Sequence, residues 1–220
     1  MTDEGYRLVI GDKNWSSWSL RPWLAMKRFA LPFDEINIKL RRPDSKAAIL
    51  KHSPSGLVPT LLDGPIAIWD SLAILEYLAD QHADLDIWPR DRLARATARS
   101  VSAEMHGGFQ ALRQHCPMEL LARSPQASLP PDVEADIRRI VGLWRDCRTQ
   151  FGGSAPFLFS RFSAADAMYA PVASRLRTYV SDLTRYGDDG TASAYIDAIF
   201  AMPEMDVWAE GARSEMAATA

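Results

Sequence analysis

The residues best suited to chemistry lie in three short segments of the first half of the chain. The first segment is Asn14–Ser19, in which serines and tryptophans alternate just before a helical pattern begins. A serine hydroxyl at the start of a helix can cap that helix, or it can donate a hydrogen bond to a bound anion. Capping is the more common role when only the local sequence is considered. The segment therefore predicts a cap or an anion site.

The second and third segments offer groups that bind peptide-like and charged ligands. Val58-Pro59 precedes a predicted strand, and the proline removes one backbone donor there. Val58 could then present its N–H and C=O to a ligand, or the pair could be an ordinary strand entry. Asp70-Ser71 begins an apolar helix, which Asp70 can cap. Alternatively, Asp70 pairs with an ammonium group while Ser71 holds a carboxylate, so that the two recognise an amino acid.

These segments need a scaffold, and residues 5–82 contain alternating strand and helix patterns. A strand–helix–strand start implies a parallel pair with a right-handed crossover. Asp63-Gly64 then predicts a hairpin, which adds antiparallel strands and gives a small mixed sheet with helices on its faces. Ligands of such sheets gather at the carboxyl ends of the strands. The predicted order is strand 7–11, helix 20–31, strand 33–40, helix 44–51, strands 60–62 and 66–68, and helix 72–80.

From about residue 92 the patterns are helical. Apolar residues from Ala94 to Leu112 mark one long helix, in which Gly107-Gly108 suggests close approach by a ligand or a neighbouring helix. Further helices are predicted at 133–147, 164–178 and 193–202, an ambiguous strand at 156–159, and a frayed Ala-rich C-terminal tail. The sequence thus predicts an α/β domain at 5–82, a linker at 83–91 and an all-α helical domain at 92–220.

Composition excludes several classes of function. The net charge of -3 provides no dense basic field, so a nucleic-acid partner is not expected. The N-terminus lacks a secretory signal pattern and no long apolar run exists, so we expect no membrane partner and a cytoplasmic location. Cys116 and Cys147 form no CxxC pair, which is typical of a reducing compartment. The histidines show no ligand spacing, so no metal is predicted.

Taken together, the first strand, the serine-bearing loop, Val58-Pro59 and the run from Asp70 to Leu78 resemble the N-terminal domain of cytosolic glutathione transferases. The run Phe162–Asp166 resembles the capping box of that family's helical domain. The likeness extends from residue 6 to about residue 210. It implies a thioredoxin-like N-terminal domain, βαβαββα in order, followed by a C-terminal helical bundle, and it implies a homodimer.

Within the family, the run Ser16–Arg21 is most similar to serine-type classes, notably zeta-like bacterial members. The likeness implies that glutathione is the co-substrate and that Ser16, with Ser17 as its neighbour or substitute, donates a hydrogen bond to the sulfur. A free thiol has a pKa of about 8.5, so the protein must favour the thiolate. The serine hydroxyl and the positive end of the first helix stabilise that anion.

The resemblance also implies the remaining site residues. Glutathione contacts are expected from Val58, Pro59, Asp70 and Ser71, with Lys46 replacing a contact that many relatives make from the position of Leu57. The acceptor, a small hydrophobic electrophile, is expected between the domains, against Trp18, Met105, His106 and Phe109.

The predicted activity is glutathione conjugation, and two alternatives remain open. Trp18 stands where the zeta class has a cysteine, which makes a maleylacetoacetate isomerase-like cis–trans isomerase the second choice. The other alternative is a non-catalytic binding protein of the same fold.

Overall fold

The computed structural model describes residues 5–218. Its first part is a four-stranded sheet in the order β2-β1-β3-β4, in which β1 pairs with β2 in parallel and the other pairs are antiparallel. The predicted element order and fold class are confirmed. The elements are β1 (Tyr6–Gly11), α1 (Ser17–Arg28), β2 (Phe33–Ile38), α2 (Ser45–Leu50), β3 (Thr60–Asp63), β4 (Ile66–Trp69) and α3 (Ser71–Gln81).

The second part is helical. Residues 82–91 connect α3 to α4, and no described helix is long and apolar enough to cross a membrane. The elements are α4 (Arg92–Gly107), α5 (Gln110–His115), α6 (Pro131–Cys147) with a following π-helical turn (Arg148–Gly152), α7 (Ala164–Tyr179), a 3-10 turn (Leu183–Tyr186), α8 (Thr191–Phe200) and α9 (Pro203–Ala217).

Strand β1 lies in the centre of the sheet because both of its faces are apolar. Leu8 and Ile10 are fully buried in the main core, which continues from the sheet into the helical part. Val9 points to the opposite face, where it packs with Ile49 of α2 in a small second core. Because successive side chains of β1 point to opposite faces, one face of the sheet packs in the main core with α1 and the other packs against α2.

Helix α1 packs between the sheet and α7. Its residues Leu20, Trp23 and Leu24 are fully buried, as is nearly the whole length of α7. Helix α7 is rich in alanine, and small side chains let neighbouring helices approach closely. This shared packing joins the sheet to the helical part in one continuous core.

The prediction of a single long helix from Ala94 to Leu112 is wrong. Helix α4 ends at Gly107, and α5 begins after Phe109, whose φ of 55° lies in the left-handed region. A Cβ at Gly108 would lie 2.6 Å from the carbonyl oxygen of Glu104, which accepts the Gly108 N–H. Gly108 is therefore required by the end of the helix, and a Cβ at Gly107 would meet nothing within 4 Å. Residues 156–159 contribute only isolated bridges.

The prediction of a frayed C-terminal tail is also wrong for the described residues, because α9 continues to Ala217 and packs on the β1–α1 loop. Glu215 accepts the Lys13 N–H at 3.0 Å, and Trp208 donates its indole N–H to the Lys13 carbonyl at 2.8 Å. Asn37 of β2 donates to the same carboxylate. Residues 219–220 lie outside the described chain.

The capping box at the start of α7 is confirmed. The buried carboxylate of Asp166 accepts the Ser163 N–H at 2.8 Å, the Leu158 N–H at 3.1 Å and the Tyr195 hydroxyl at 3.1 Å. Burial raises the pKa of Asp166 to about 6, and these hydrogen bonds act in the opposite direction. One carboxylate therefore joins α7, α8 and the preceding loop.

Replacing Asp166 by alanine should lower the free energy of unfolding by about 3 kcal/mol or more, because several buried donors lose their acceptor at once. The measurement is urea denaturation followed by circular dichroism. Asp146→Ala provides the control, since that side chain is exposed and its ion pair with Arg145 is long, at 3.8 Å. The control should change stability by about 0.5 kcal/mol or less. Equal effects of the two changes would refute the structural role of Asp166.

Candidate active site

The three chemically promising segments meet at one cavity of about 350 Å³. Trp18 of α1 forms one wall, the loop before β3 forms a second, and the start of α3 forms a third. Because these segments are far apart in sequence, only the sheet topology brings them together. The lining residues are Trp18, Ser55, Leu57, Val58, Pro59, Trp69, Asp70 and Ser71.

The loop before β3 turns at a cis Val58–Pro59 peptide bond. Within residues 5–218, the N–H and C=O of Val58 make no hydrogen bond. Leu57 beside it is 66% exposed. Lys46 does not line the cavity, since its ammonium group donates to the Gly56 carbonyl at 3.0 Å. Lys46 thus holds the loop through the Gly56 carbonyl. The backbone donor and acceptor of Val58 remain free for a ligand.

Asp70 and Ser71 sit at the N-terminus of α3. One oxygen of Asp70 accepts the Leu72 N–H at 2.9 Å, and its other oxygen lies 2.7 Å from Nε2 of His106 on α4. The φ of Asp70 is 77°, a strained conformation that costs about 1–3 kcal/mol and is concentrated at functional sites. Ser71 is fully buried, and its hydroxyl oxygen accepts a hydrogen bond from Arg21 at 3.1 Å.

The two serines at the start of α1 have different partners. The Ser16 hydroxyl donates to Ser19 Oγ at 2.7 Å, and Ser19 Oγ also accepts the Gly11 N–H. Ser17 Oγ accepts a hydrogen bond from Arg175 of α7 at 3.2 Å. Both serines are 7% exposed, and neither is among the residues that line the cavity, although the next residue, Trp18, is.

The residues expected to hold the acceptor fall into two groups. Trp18 and His106 are in edge-to-face contact, with ring centroids 5.2 Å apart. His106 also lines a second, shallower groove of about 640 Å³ that runs along α3 and shares Trp69 and Asp70 with the cavity. Met105 and Phe109 are instead buried in the main core and line neither space.

Three arginines beside the site were not among the predicted site residues, although one of them, Arg21, ends the run Ser16–Arg21 that carries the resemblance. Arg21 and Arg113 place their guanidinium groups 4.2 and 5.0 Å from the Trp18 ring centroid. Arg21 and Arg175 are almost completely buried. Of the residues that the structure describes, no carboxylate forms a salt bridge with any of the three. We call Arg21, Arg113 and Arg175 the arginine cluster.

The arginine cluster holds positive charge in a costly environment. Burial, followed by repulsion from Arg113 and Arg175, lowers the pKa of Arg21 to about 9. Burial and Arg113 likewise lower the pKa of Arg175 to about 10. A sequence signal for Arg21 and Arg175 did exist, because each adjoins an apolar residue, Leu20 or Leu176, in a helix whose residues are mostly buried. An anion at the start of α1 would offset this cost.

The described residues, 5–218, offer neither a metal site nor a reactive cysteine. Those residues contain no group of side chains that could hold a metal ion. Both cysteines are buried and unpaired, and burial raises the pKa of Cys116 and, to about 12, that of Cys147. The protein's own thiols are therefore poor nucleophiles.

A mixed sheet with a cis-proline loop, followed by a helical part, is the arrangement that the sequence resemblance implied, and comparison with known families agrees. A profile for the glutathione S-transferase N-terminal domain matches residues 15–81, and one for the C-terminal domain matches residues 90–198. The chain belongs to the glutathione S-transferase family.

Individual relatives place the chain near the zeta-like members. It is 34% identical over 106 residues to a probable maleylacetoacetate isomerase of Caenorhabditis elegans, covering 48% of each chain. It is 32% identical over 96 residues to glutathione S-transferase Z2 of Arabidopsis thaliana, covering 43% of each. These alignments span about half the length of the curated relatives or less.

Solved structures share the fold over nearly the whole chain. Glutathione S-transferase unclassified 2 from Bombyx mori has a TM-score of 0.74 at 20% identity, with 96% of this chain and 95% of that chain covered. A glutathione transferase homologue from Burkholderia GL BGR1, solved with bound glutathione, has a TM-score of 0.70 at 18% identity, with 95% and 98% covered.

The cysteines should resist a thiol-specific colorimetric reagent at mildly alkaline pH in the native protein, because their raised pKa values keep them neutral and the core excludes the reagent. Both should react in denaturant. The measurement is the time course of labelling with and without denaturant. Rapid labelling of the native protein would contradict this assignment and would reopen cysteine-based chemistry.

Proposed function

We propose that this protein binds glutathione in the cavity between α1 and α3 and activates its thiol for attack on a small hydrophobic electrophile. The sulfur lone pair forms a bond to an electrophilic carbon. Either a leaving group departs with its bonding electrons, or the electrons of a double bond take up a proton. The thiol proton passes to solvent. A cytoplasmic homodimer, which the family likeness implies, is part of the same proposal.

The observation that carries the proposal is the composition of the cavity wall. Glutathione is a tripeptide whose γ-glutamyl end bears an ammonium and a carboxylate group. Asp70 can receive the ammonium, since a carboxylate oxygen accepts more than one donor and His106 occupies only part of its capacity. Ser71 and the N-terminus of α3 suit the carboxylate. Val58 offers its free N–H and C=O to the central peptide unit.

Ser17 is the better candidate for the hydrogen bond to sulfur. The Ser16 hydroxyl proton is already donated to Ser19 at 2.7 Å. Among the hydrogen bonds of residues 5–218, Ser17 Oγ accepts one from Arg175 and donates none, so its proton remains available. Ser17 is also the first residue of α1, where the positive end of the helix favours an anion. We therefore assign the hydrogen bond to sulfur to Ser17 in this proposal, and not to Ser16, which the sequence favoured.

The electrophile is proposed to bind beside Trp18, Trp69 and His106, where the cavity and the groove along α3 share lining residues. Met105 and Phe109 support this region only from within the core. A second candidate function is glutathione-dependent cis–trans isomerisation, which the likeness to the Caenorhabditis elegans protein favours. Turnover of a cis-dienone without consumption of glutathione distinguishes isomerisation from conjugation.

Ser71→Ala and Asp70→Asn should each raise the dissociation constant for glutathione by roughly 10- to 100-fold, because hydrogen bonds to charged groups contribute about 1.5–3 kcal/mol. Asparagine still caps a helix, so Asp70→Asn should preserve α3. Isothermal titration calorimetry measures the change. Ser100→Ala, an exposed change on α4, is the control. Wild-type affinity in both site variants would remove the γ-glutamyl assignment.

Ser17→Ala should raise the thiol pKa of bound glutathione by about one unit or more, because the thiolate loses a hydrogen bond. One pKa unit corresponds to about 1.4 kcal/mol. Ser16→Ala should produce a smaller change, since the Ser16 proton serves Ser19. Ultraviolet thiolate absorbance, titrated with pH in the glutathione complex, measures both. The reverse order of effects would assign the donor to Ser16, and no effect from either would overturn the serine mechanism.

A further inference from the structure

A buried arginine of the helical domain contacts the serine proposed to activate the thiol. Arg175 is 7% exposed and donates through one terminal nitrogen to Ser17 Oγ, at 3.2 Å. Its other terminal nitrogen donates to the carbonyl of Cys116, at the end of α5. Hydrogen bonds from both terminal nitrogens thus fix the orientation of the Arg175 guanidinium group. Because Ser17 receives this donor, its own hydroxyl hydrogen must point elsewhere.

The charged and titratable groups around Arg175 leave its charge without a close counter-ion. Arg113 of α5 repels it, while the Cys116 thiol and the Tyr179 hydroxyl face it as neutral groups. Arg21 lies on the α1 side and is repelled by Arg175 in turn. The carboxylates of Asp70 and Asp136 act on Arg21 and Arg113 only from beyond salt-bridge distance.

Buried charges of one sign are costly unless an opposite charge is supplied. Within residues 5–218 the Nε atoms of Arg21 and Arg113 are buried without a hydrogen-bond partner, which adds to that cost. None of the three arginines lines the cavity, but the guanidinium groups of Arg21 and Arg113 lie beside the ring of Trp18, which does line it. The arginine cluster therefore acts on a ligand through its neighbours and through its field.

We propose that Arg175 is a positioning residue for the thiolate. It fixes Ser17 Oγ as an acceptor, which directs the serine hydroxyl hydrogen towards the sulfur, and its charge, with those of Arg21 and Arg113, stabilises the sulfur anion. The thiolate is the counter-ion of the arginine cluster. This inference rests on the proposed function, because it requires glutathione sulfur at the start of α1.

The test compares Arg175→Met, Arg175→Lys and Arg177→Met. Arg177 lies two residues further along the same helix, and its guanidinium packs over Phe200 at 4.0 Å, away from Ser17. The readouts are the thiol pKa of bound glutathione, from ultraviolet absorbance, and the affinity for S-methylglutathione, which has no ionisable thiol. Circular dichroism reports folding.

We expect Arg175→Met to raise the bound-thiol pKa by about one unit or more. Affinity for S-methylglutathione should change by less than about threefold, because that ligand carries no charge at sulfur. Arg175→Lys should restore part of the shift, and Arg177→Met should leave the thiol pKa at the wild-type value. An unchanged thiol pKa in Arg175→Met, or an equal shift in Arg177→Met, overturns the inference. A large loss of S-methylglutathione affinity without a pKa change assigns Arg175 to shape or carboxylate binding and also overturns it.

If Arg175→Met fails to fold, Arg113→Met takes its place, because Arg113 is less buried than Arg175. This substitution removes one charge of the arginine cluster and leaves the Ser17 hydrogen bond in place. The expected shift is smaller and of the same sign, and its absence overturns the electrostatic role. Ser17→Ala, measured in parallel, separates the two proposals. If Ser17→Ala shifts the thiol pKa and the arginine variants do not, only this inference fails. If Ser17→Ala has no effect, the assignment of the donor to Ser17 fails and this inference fails with it. If Ser16→Ala has no effect either, the proposed serine mechanism fails.

Discussion

Helix α1 is enclosed on two sides, by the sheet and by α7, and this double burial constrains the structure around it. A helix in such a position must be apolar over most of its circumference. Any polar group that it carries needs a partner inside the protein, since water does not reach it. Its polar residues Ser17, Ser19 and Arg21 therefore each reach a different element, namely α7, the end of β1 and the start of α3.

These partnerships link the packing of the two domains to the geometry of the site. The Arg21–Ser71 contact joins α1 to α3 within the first domain, and the Arg175–Ser17 contact joins α1 to the second domain. Both contacts end on a residue proposed to meet glutathione. A change that loosens the packing of α1 on α7 should consequently alter both the thiol pKa of bound glutathione and the free energy of unfolding. The two effects are separated by measuring both quantities.

The elements of the first domain could be predicted because their signals are local. Period-two alternation, the Asp63-Gly64 turn and the Asp70 cap placed every strand and helix end from β2 to α3 within two residues of its observed position. The meeting of the three site segments also followed from the order of the elements. The break before α5 was not predicted, because Gly107-Gly108 was interpreted as a close approach within one helix rather than as its end, and the left-handed conformation of Phe109 has no residue-type signal. The choice between Ser16 and Ser17 depends on Arg175, which lies 158 positions away in the sequence. No local pattern contains that information.

The docking of α9 on the β1–α1 loop has a consequence for how the protein is made. The Lys13–Glu215 hydrogen bond spans 202 positions, so a ribosome has synthesised almost all of this sequence before the loop acquires its final support. Contacts of such long range form late, because chain closure must come first. The β1–α1 loop leads directly into Ser16 and Ser17, so the serine proposed to face the sulfur gains this support only after α9 has been synthesised. The activation proposed for glutathione should therefore depend on α9 as well as on the residues of the first domain.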